Sequence, residues 1–135
     1  MTTARSLADT SVFVALEVAR TLDASTLALW EPHVISVVTV AELQAGVLAA
    51  PDVDSRSLRL STLNSLGDVQ VLGVDEHVAQ EWARLRVFLA QHRRRLNVND
   101  LWIAATAAAH GLPVVTQDLG FNALEGVSGV TVVQV

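Results

Sequence analysis

Residues 98–121 read VNDLWIAATAAAHGLPVVTQDLGF, and this stretch decides the fold. Leu101, Ile103, Ala104, Ala107 and Ala108 make a broad apolar face of mostly small side chains, which predicts a helix lying close against a sheet. Gly111 stops that helix and Pro113 cannot continue it. Pro113-Val114-Val115-Thr116 is a short β-branched run suited to a strand buried on both faces. Asp100 opens the helix and Asp118 follows the strand. In a parallel α/β sheet, the carboxyl ends of strands and the amino ends of helices share one rim. The two aspartates therefore belong to the same edge of the molecule.

Working outward, the same alternation recurs. Asp9-Thr10-Ser11 marks a strand end passing into a helix that carries Val12, Phe13, Val14 and Leu16. A short helix over Ala24 to Trp30 is broken by Pro32, and His33 to Val37 reads as a second strand. The next helix is expected to begin near Thr39, with Val40, Leu43, Val47 and Leu48 inward. Pro51 to Ser57 reads as a polar turn, and Leu58, Leu60, Leu63 and Leu66 as a short helix ended by Gly67. Val69 to Val74 makes a third strand, and Asp75 caps a long helix with Val78, Trp82, Leu85, Phe88 and Leu89 on its apolar stripe. Phe121 and Leu124 fall in a short helix before a last strand, Val130 to Val135. No internal repeat or flexible linker interrupts the 135 residues, so one domain is expected over 1–135. Its fold class is a three-layer α/β/α sandwich with a mainly parallel central sheet.

Composition narrows the function. Hydrophobic residues are 51% of the chain and mean hydropathy is +0.42, yet no segment approaches the roughly 18 uncharged apolar residues of a bilayer span. Asp9 and Glu17 interrupt any signal-peptide core. The chain has no cysteine, which excludes disulfides and thiolate metal sites and fits a cytoplasmic protein. Every one of the nine basic residues is arginine, so a lysine-dependent mechanism is excluded. The net charge of −5 argues against a general nucleic-acid coat.

Four carboxylates stand out, each with an ordinary structural alternative. Asp9 could simply cap a helix. Thr39-x-x-Glu42 fits a capping box, with Glu42 reaching back to the Thr39 amide. Jointly, Asp9 and Asp118 at strand ends, with Glu42 and Asp100 in the first turns of helices, can all face one rim. Unit charges about 4 Å apart repel by about 4 kcal/mol at an effective dielectric near 20. Such a group either takes up protons or binds a cation, and an all-oxygen set suits Mg²⁺ or Mn²⁺. Such ions activate water and stabilise the leaving oxygen of a phosphodiester. His92, Arg93, Arg94 and Arg95 form a basic helix end, read either as complementing the helix dipole or as contacting phosphate.

Asp9-Thr10-Ser11, Thr39-Val40-Ala41-Glu42-Leu43, Asn99 to Thr106 and Leu112 to Asp118 together resemble the successive motifs of PIN-domain ribonucleases, in particular the VapC toxins of bacterial toxin–antitoxin pairs. The resemblance runs nearly end to end. It implies a Mg²⁺- or Mn²⁺-dependent endoribonuclease that cuts RNA with metal-activated water, forms a homodimer, and is inhibited by a cognate VapB-type antitoxin. It implies Asp9 and Asp100 as principal metal ligands, with Glu42 and Asp118 completing the catalytic pocket and Thr116 and Asn99 in support. Arg93, Arg94 and Arg95 become RNA-backbone contacts. One departure stands out: many relatives carry a further acid where this chain has Asn122.

Rival readings make different demands. A phosphorelay receiver or a haloacid-dehalogenase-type phosphatase needs a lysine and a different grouping of acids. A non-catalytic PIN-like module would pair with protein or RNA without cleaving. A metal-free ribonuclease would need His33, His77, His92 or His110 beside a second acid–base group, and their spacing in the sequence offers none. Apolar side chains on the early helices, Phe13, Leu27 and Trp30, are candidates for the dimer surface.

Overall fold

The structure, a computed structural model, describes residues 3–135; Met1 and Thr2 of the expected domain lie outside the described residues. Five strands, β1 (Ser6–Ala8), β2 (His33–Ser36), β3 (Val71–Leu72), β4 (Val114–Thr116) and β5 (Val132–Gln134), form a sheet in the order β3-β2-β1-β4-β5. Every pairing is parallel, so the expected mainly parallel sheet is wholly so. β1 and β4 are central and buried at every position, which explains their uninterrupted apolar or small composition.

Among the described residues, six α-helices surround the sheet. α1 (Thr10–Glu17) leaves β1 directly, and α2 (Ala24–Leu29) leads into β2. α3 (Val37–Leu48) and α4 (Val53–Asn64) form a hairpin between β2 and β3. α5 (Glu76–Gln91) and α6 (Val98–Ala109) form a second hairpin that leads into β4. The main core joins Leu7, Val34 and Val114 of the sheet to Val78, Leu85 and Leu89 of α5 and Leu101, Ala104 and Ala105 of α6. Ala8, Ile35 and Val115, which alternate onto the other face, are also buried, as are Val12 and Ala15 of α1. Phe121, in a 3-10 turn over Leu119–Leu124, closes one end of the main core. α6 ends as the sequence dictates: Gly111 takes φ +64°, and the Leu112 N–H reaches back to the Ala107 carbonyl at 2.9 Å.

Several local expectations need correction. α3 begins at Val37, two residues early, because Ser36 is its N-cap and accepts the Val38 N–H. Leu48 is 79% exposed instead of inward. The supposed turn at 51–57 is mostly helix, since Asp52 accepts the Ser55 N–H and starts α4 at Val53. The third strand pairs over only two residues, at the sheet edge, where few partners hold it.

Candidate functional site

The sheet order places a topological switch between β1 and β4. From β1 the chain moves to β2 and β3 on one side, then returns through the α5–α6 hairpin to β4 on the other. Loops leaving the carboxyl ends of such neighbouring strands diverge and open a crevice. Asp9 follows β1 and Asp118 lies two residues beyond β4, so both stand at that crevice. α6 must run back to start β4, so its amino end, with Asp100, returns to the same rim. Glu42 enters from the second turn of α3.

Asp9 is 2% exposed and caps α1, with Oδ2 accepting the Ser11 N–H at 3.3 Å. The same Oδ2 accepts the Thr116 hydroxyl at 2.9 Å. Asp9 Oδ1 is buried and has no hydrogen-bond partner. The capping reading and the functional reading of Asp9 thus hold together, one for each oxygen. The Thr116 hydroxyl oxygen also accepts the Asp118 N–H at 2.9 Å. Ser11 joins this lattice, lying 3.1 Å from Thr116 and accepting the Gln117 N–H at 2.9 Å. Asp118 is exposed and turns Oδ1 back onto the Gly120 N–H at 2.8 Å. A Cβ at Gly120 would stand 3.0 Å from that oxygen, which ties the glycine to the carboxylate's placement.

Glu42 does not form the expected capping box. The N-cap is Ser36, so the box position three residues on is Thr39 itself, fully buried, and Glu42 stands too far along the helix to close it. Glu42 Oε1 instead accepts the Thr10 hydroxyl at 2.7 Å, and Thr10 Oγ1 lies 2.9 Å from Thr39 Oγ1. Thr10 and Ser11 were missed as site residues. Their only sequence signal was position, two hydroxyl side chains directly after the strand-end acid.

Asp100 is half-buried and shows what the cluster does electrostatically. Burial, then the neighbouring charges of Asp9, Asp118 and Glu42, push its carboxyl pKa up to about 7. Three carboxylates distant in sequence therefore act on the fourth. They do not close around one point, however. Among the described residues, no three acidic or histidine side chains stand as a ready-made cation cage. Asp9 Oδ1 is the exception in readiness, a buried carboxyl oxygen with no hydrogen-bond partner among the described residues. An all-oxygen donor set of this kind fits Mg²⁺ or Mn²⁺, which keep several waters and need few protein ligands.

The remaining expected residues divide. Asn99 is exposed, and only its backbone N–H is engaged, by Asn97 Oδ1 at 2.9 Å; Asn97 is the cap of α6. Arg94 is fastened internally, donating to the Glu125 carbonyl at 2.6 Å and lying 5.6 Å over the Phe88 ring. Arg93 takes φ +54° at the end of α5 and is exposed, as is Arg95. Asn122 is exposed near Gln134. The histidines serve other ends of the fold. His92 and His110 bond helix carbonyls, and His33 bonds Ser6. One expectation about them changes, because His77 and His110 share an acid neighbour, Asp75. A cavity of about 670 Å³ is lined by Ala4, Pro32, His33 and Asp68 at the amino ends of the strands, away from the acid cluster.

Residues 7–127 match the family described as PIN domain. The chain belongs to the PIN-domain family. Within it, this PIN chain is 48% identical over 134 residues to Ribonuclease VapC5 of Mycobacterium tuberculosis, covering 99% of this chain and 98% of that one. It is 42% identical to Ribonuclease VapC4 of the same organism, over 98% and 100% of the two chains. A crystal structure of VapBC-5, a member of the VapBC family of toxin–antitoxin systems from M. tuberculosis, superposes with a TM-score of 0.88. That match covers 98% of this chain and 100% of the other at 48% identity. The PIN sheet order and the rim of carboxylates therefore sit on a fold shared along almost the whole length.

Proposed function

We propose that this chain is a VapC-type toxin, a divalent-metal-dependent endoribonuclease restrained by a cognate VapB-type antitoxin. The observation that carries the chemistry is the unpaired, buried Asp9 Oδ1 within a cluster that also raises the Asp100 pKa. Ribonuclease names on relatives of nearly equal length support the substrate class. Residues 1–135 serve as a single PIN-like unit, and the absence of cysteine favours a cytoplasmic setting. Among the described residues, no helix is long and apolar enough to cross a membrane.

Asp9 and Asp100 would hold Mg²⁺ or Mn²⁺, with Glu42 and Asp118 contributing directly or through water. A bound divalent ion supplies water activation and charge neutralisation at the scissile phosphodiester. The chain's own contribution is placement. Thr116 keeps Asp9 Oδ2 occupied and so leaves Oδ1 to face the ion, while Thr10 orients Glu42. Deprotonated Asp100 is the form that can ligate, and its high pKa makes that step pH-sensitive. Asn99, exposed and directly before Asp100, would support the pocket from its edge.

A homodimer would use apolar surface on the early helices, where Phe13, Leu27 and Trp30 are each partly buried. Purified protein should cleave single-stranded RNA with Mg²⁺ or Mn²⁺ and leave 5′-phosphate ends. EDTA, Asp9→Asn and Asp100→Asn should each abolish cleavage. Equal cleavage by the variants, or cleavage in EDTA, would overturn the mechanism. Antitoxin pairing without any cleavage would favour the non-catalytic module.

A further inference from the structure

We propose that the cleft between α5 and the start of α6 is a phosphate subsite that grips the RNA backbone beside the acid cluster, an inference that rests on the ribonuclease reading. The cleft encloses about 230 Å³ and is lined by Trp82, Arg86, Leu89, Arg94, Arg95 and Leu101, among others. Three arginines and no carboxylate line it, on a chain whose net charge is −5. Arg94 is held in place by the Glu125 carbonyl and the Phe88 ring. Arg86 and Arg95 have no hydrogen-bond or ion-pair partner among the described residues.

Trp82 forms the cleft's aromatic wall, its ring pinned against Trp102 with centroids 5.0 Å apart and planes 21° from parallel. Its indole Nε1 is buried, so what the cleft offers a ligand is its three arginines. A ligand that fills it must bring negative charge and acceptor oxygens to them. Phosphate does both, and guanidinium forks match its geometry. The volume is below the roughly 300–1,000 Å³ of ordinary small-ligand pockets, so it suits a backbone phosphate more than a whole cofactor.

Location selects RNA as the source of that phosphate. Leu101 lines the cleft, and its chain neighbour Asp100 belongs to the acid cluster. A strand crossing the carboxylates meets repulsion there, and an adjoining cationic cleft offsets it. Each phosphate neutralised by arginine releases counterions, so binding through this cleft carries a salt signature.

The test uses full-length protein in EDTA, with fluorescence anisotropy of a labelled single-stranded RNA over a range of salt. Arg86→Ala/Arg95→Ala should weaken binding about tenfold or more and lower the slope of log affinity against log salt by about 0.7 per lost phosphate contact. Arg5→Ala removes a guanidinium group at the amino end of β1, the opposite end of the sheet, and should change neither. Unchanged affinity and slope in the double variant overturn the proposal, as does an equal loss in Arg5→Ala. A cleft that takes a polyglutamate peptide while RNA binding is untouched overturns it too. Cleavage by wild-type protein with Mg²⁺ is read separately. If cleavage is seen while the cleft variants bind normally, the subsite falls and the ribonuclease reading stands.

Discussion

The Thr116 hydroxyl donates to Asp9 Oδ2 at 2.9 Å, across 107 residues of sequence. The register of the two central strands makes this possible. Ala8 pairs with Val115, so the residues that follow each of them emerge side by side at the switch point. The same hydroxyl oxygen accepts the Asp118 N–H, so one side chain fixes both aspartates. Thr116→Val keeps the shape and removes the hydroxyl, leaving a buried carboxylate oxygen and a backbone N–H short of a partner. Stability should fall by about 1–3 kcal/mol in urea unfolding. Metal-dependent cleavage should fall with it, while Thr116→Ser should retain most of both.

Divalent ions should stabilise the folded chain. At a concentration about 100 times Kd, a ligand of the native state adds about 2.7 kcal/mol. For a domain of this size that is roughly 8–10 °C in melting temperature. Asp9→Asn and Asp100→Asn should abolish the response. Without metal, Asp9→Asn should be nearly neutral, because an amide oxygen can still accept from Ser11 and Thr116. Asp100→Asn should be neutral or stabilising, since it removes a half-buried charge facing three others. A metal-free loss of several kcal/mol in Asp100→Asn would show that the cluster is structural.

Asp100 also sets a pH dependence. Its folded pKa, about 7, lies above the ordinary carboxyl value. Between those two values the folded chain holds a proton that the unfolded chain has released. Unfolding free energy contributed by Asp100 therefore falls as pH rises from about 4 to about 7. Discounted for the solvent screening of a half-exposed group, the loss is about 1–2 kcal/mol. Denaturant titrations of metal-free wild type and Asp100→Asn should differ by this amount across that window. With Mg²⁺ present the trend reverses for function, because the ion competes with the proton, and cleavage should rise with pH up to about 7.

The small residues of α6 are required by its closeness to the sheet. Ala104 and Ala105 are fully buried in the main core. Ala104→Leu should cost about 1–3 kcal/mol by overpacking, measured by thermal or urea unfolding. An unchanged midpoint would mean that α6 packs more loosely than its alanines indicate.

Much of the architecture was legible because it rests on local rules. Asp75 starts α5, Gly111 ends α6, and Val114 to Thr116 has no option but a buried strand. The α3 boundary was misread because two hydroxyl residues, Ser36 and Thr39, compete for the cap in sequence. Only the parallel pairing of β2, which carries Ser36 to the strand end, decides between them. The helical character of 53–57 was hidden because α4 buries no residue and so shows no apolar stripe at its start. The Arg93–Arg95 run looked uniform in sequence, yet Arg94 is committed to the Glu125 carbonyl, and Arg86, about two turns upstream, joins Arg95 in the same cleft.

Residue type and order by themselves determined the alternation of helix and strand, the four strand-end and helix-start acids, and the family they resemble, because capping, periodicity and chain punctuation act over a few residues. Tertiary structure alone decided which oxygen of Asp9 is left bare, that Glu42 turns to Thr10 instead of its own helix end, and that burial and three neighbouring charges converge on Asp100. Those outcomes depend on strand register and on how deeply each side chain is taken out of water. Distances between residues a hundred positions apart are fixed only when the sheet closes.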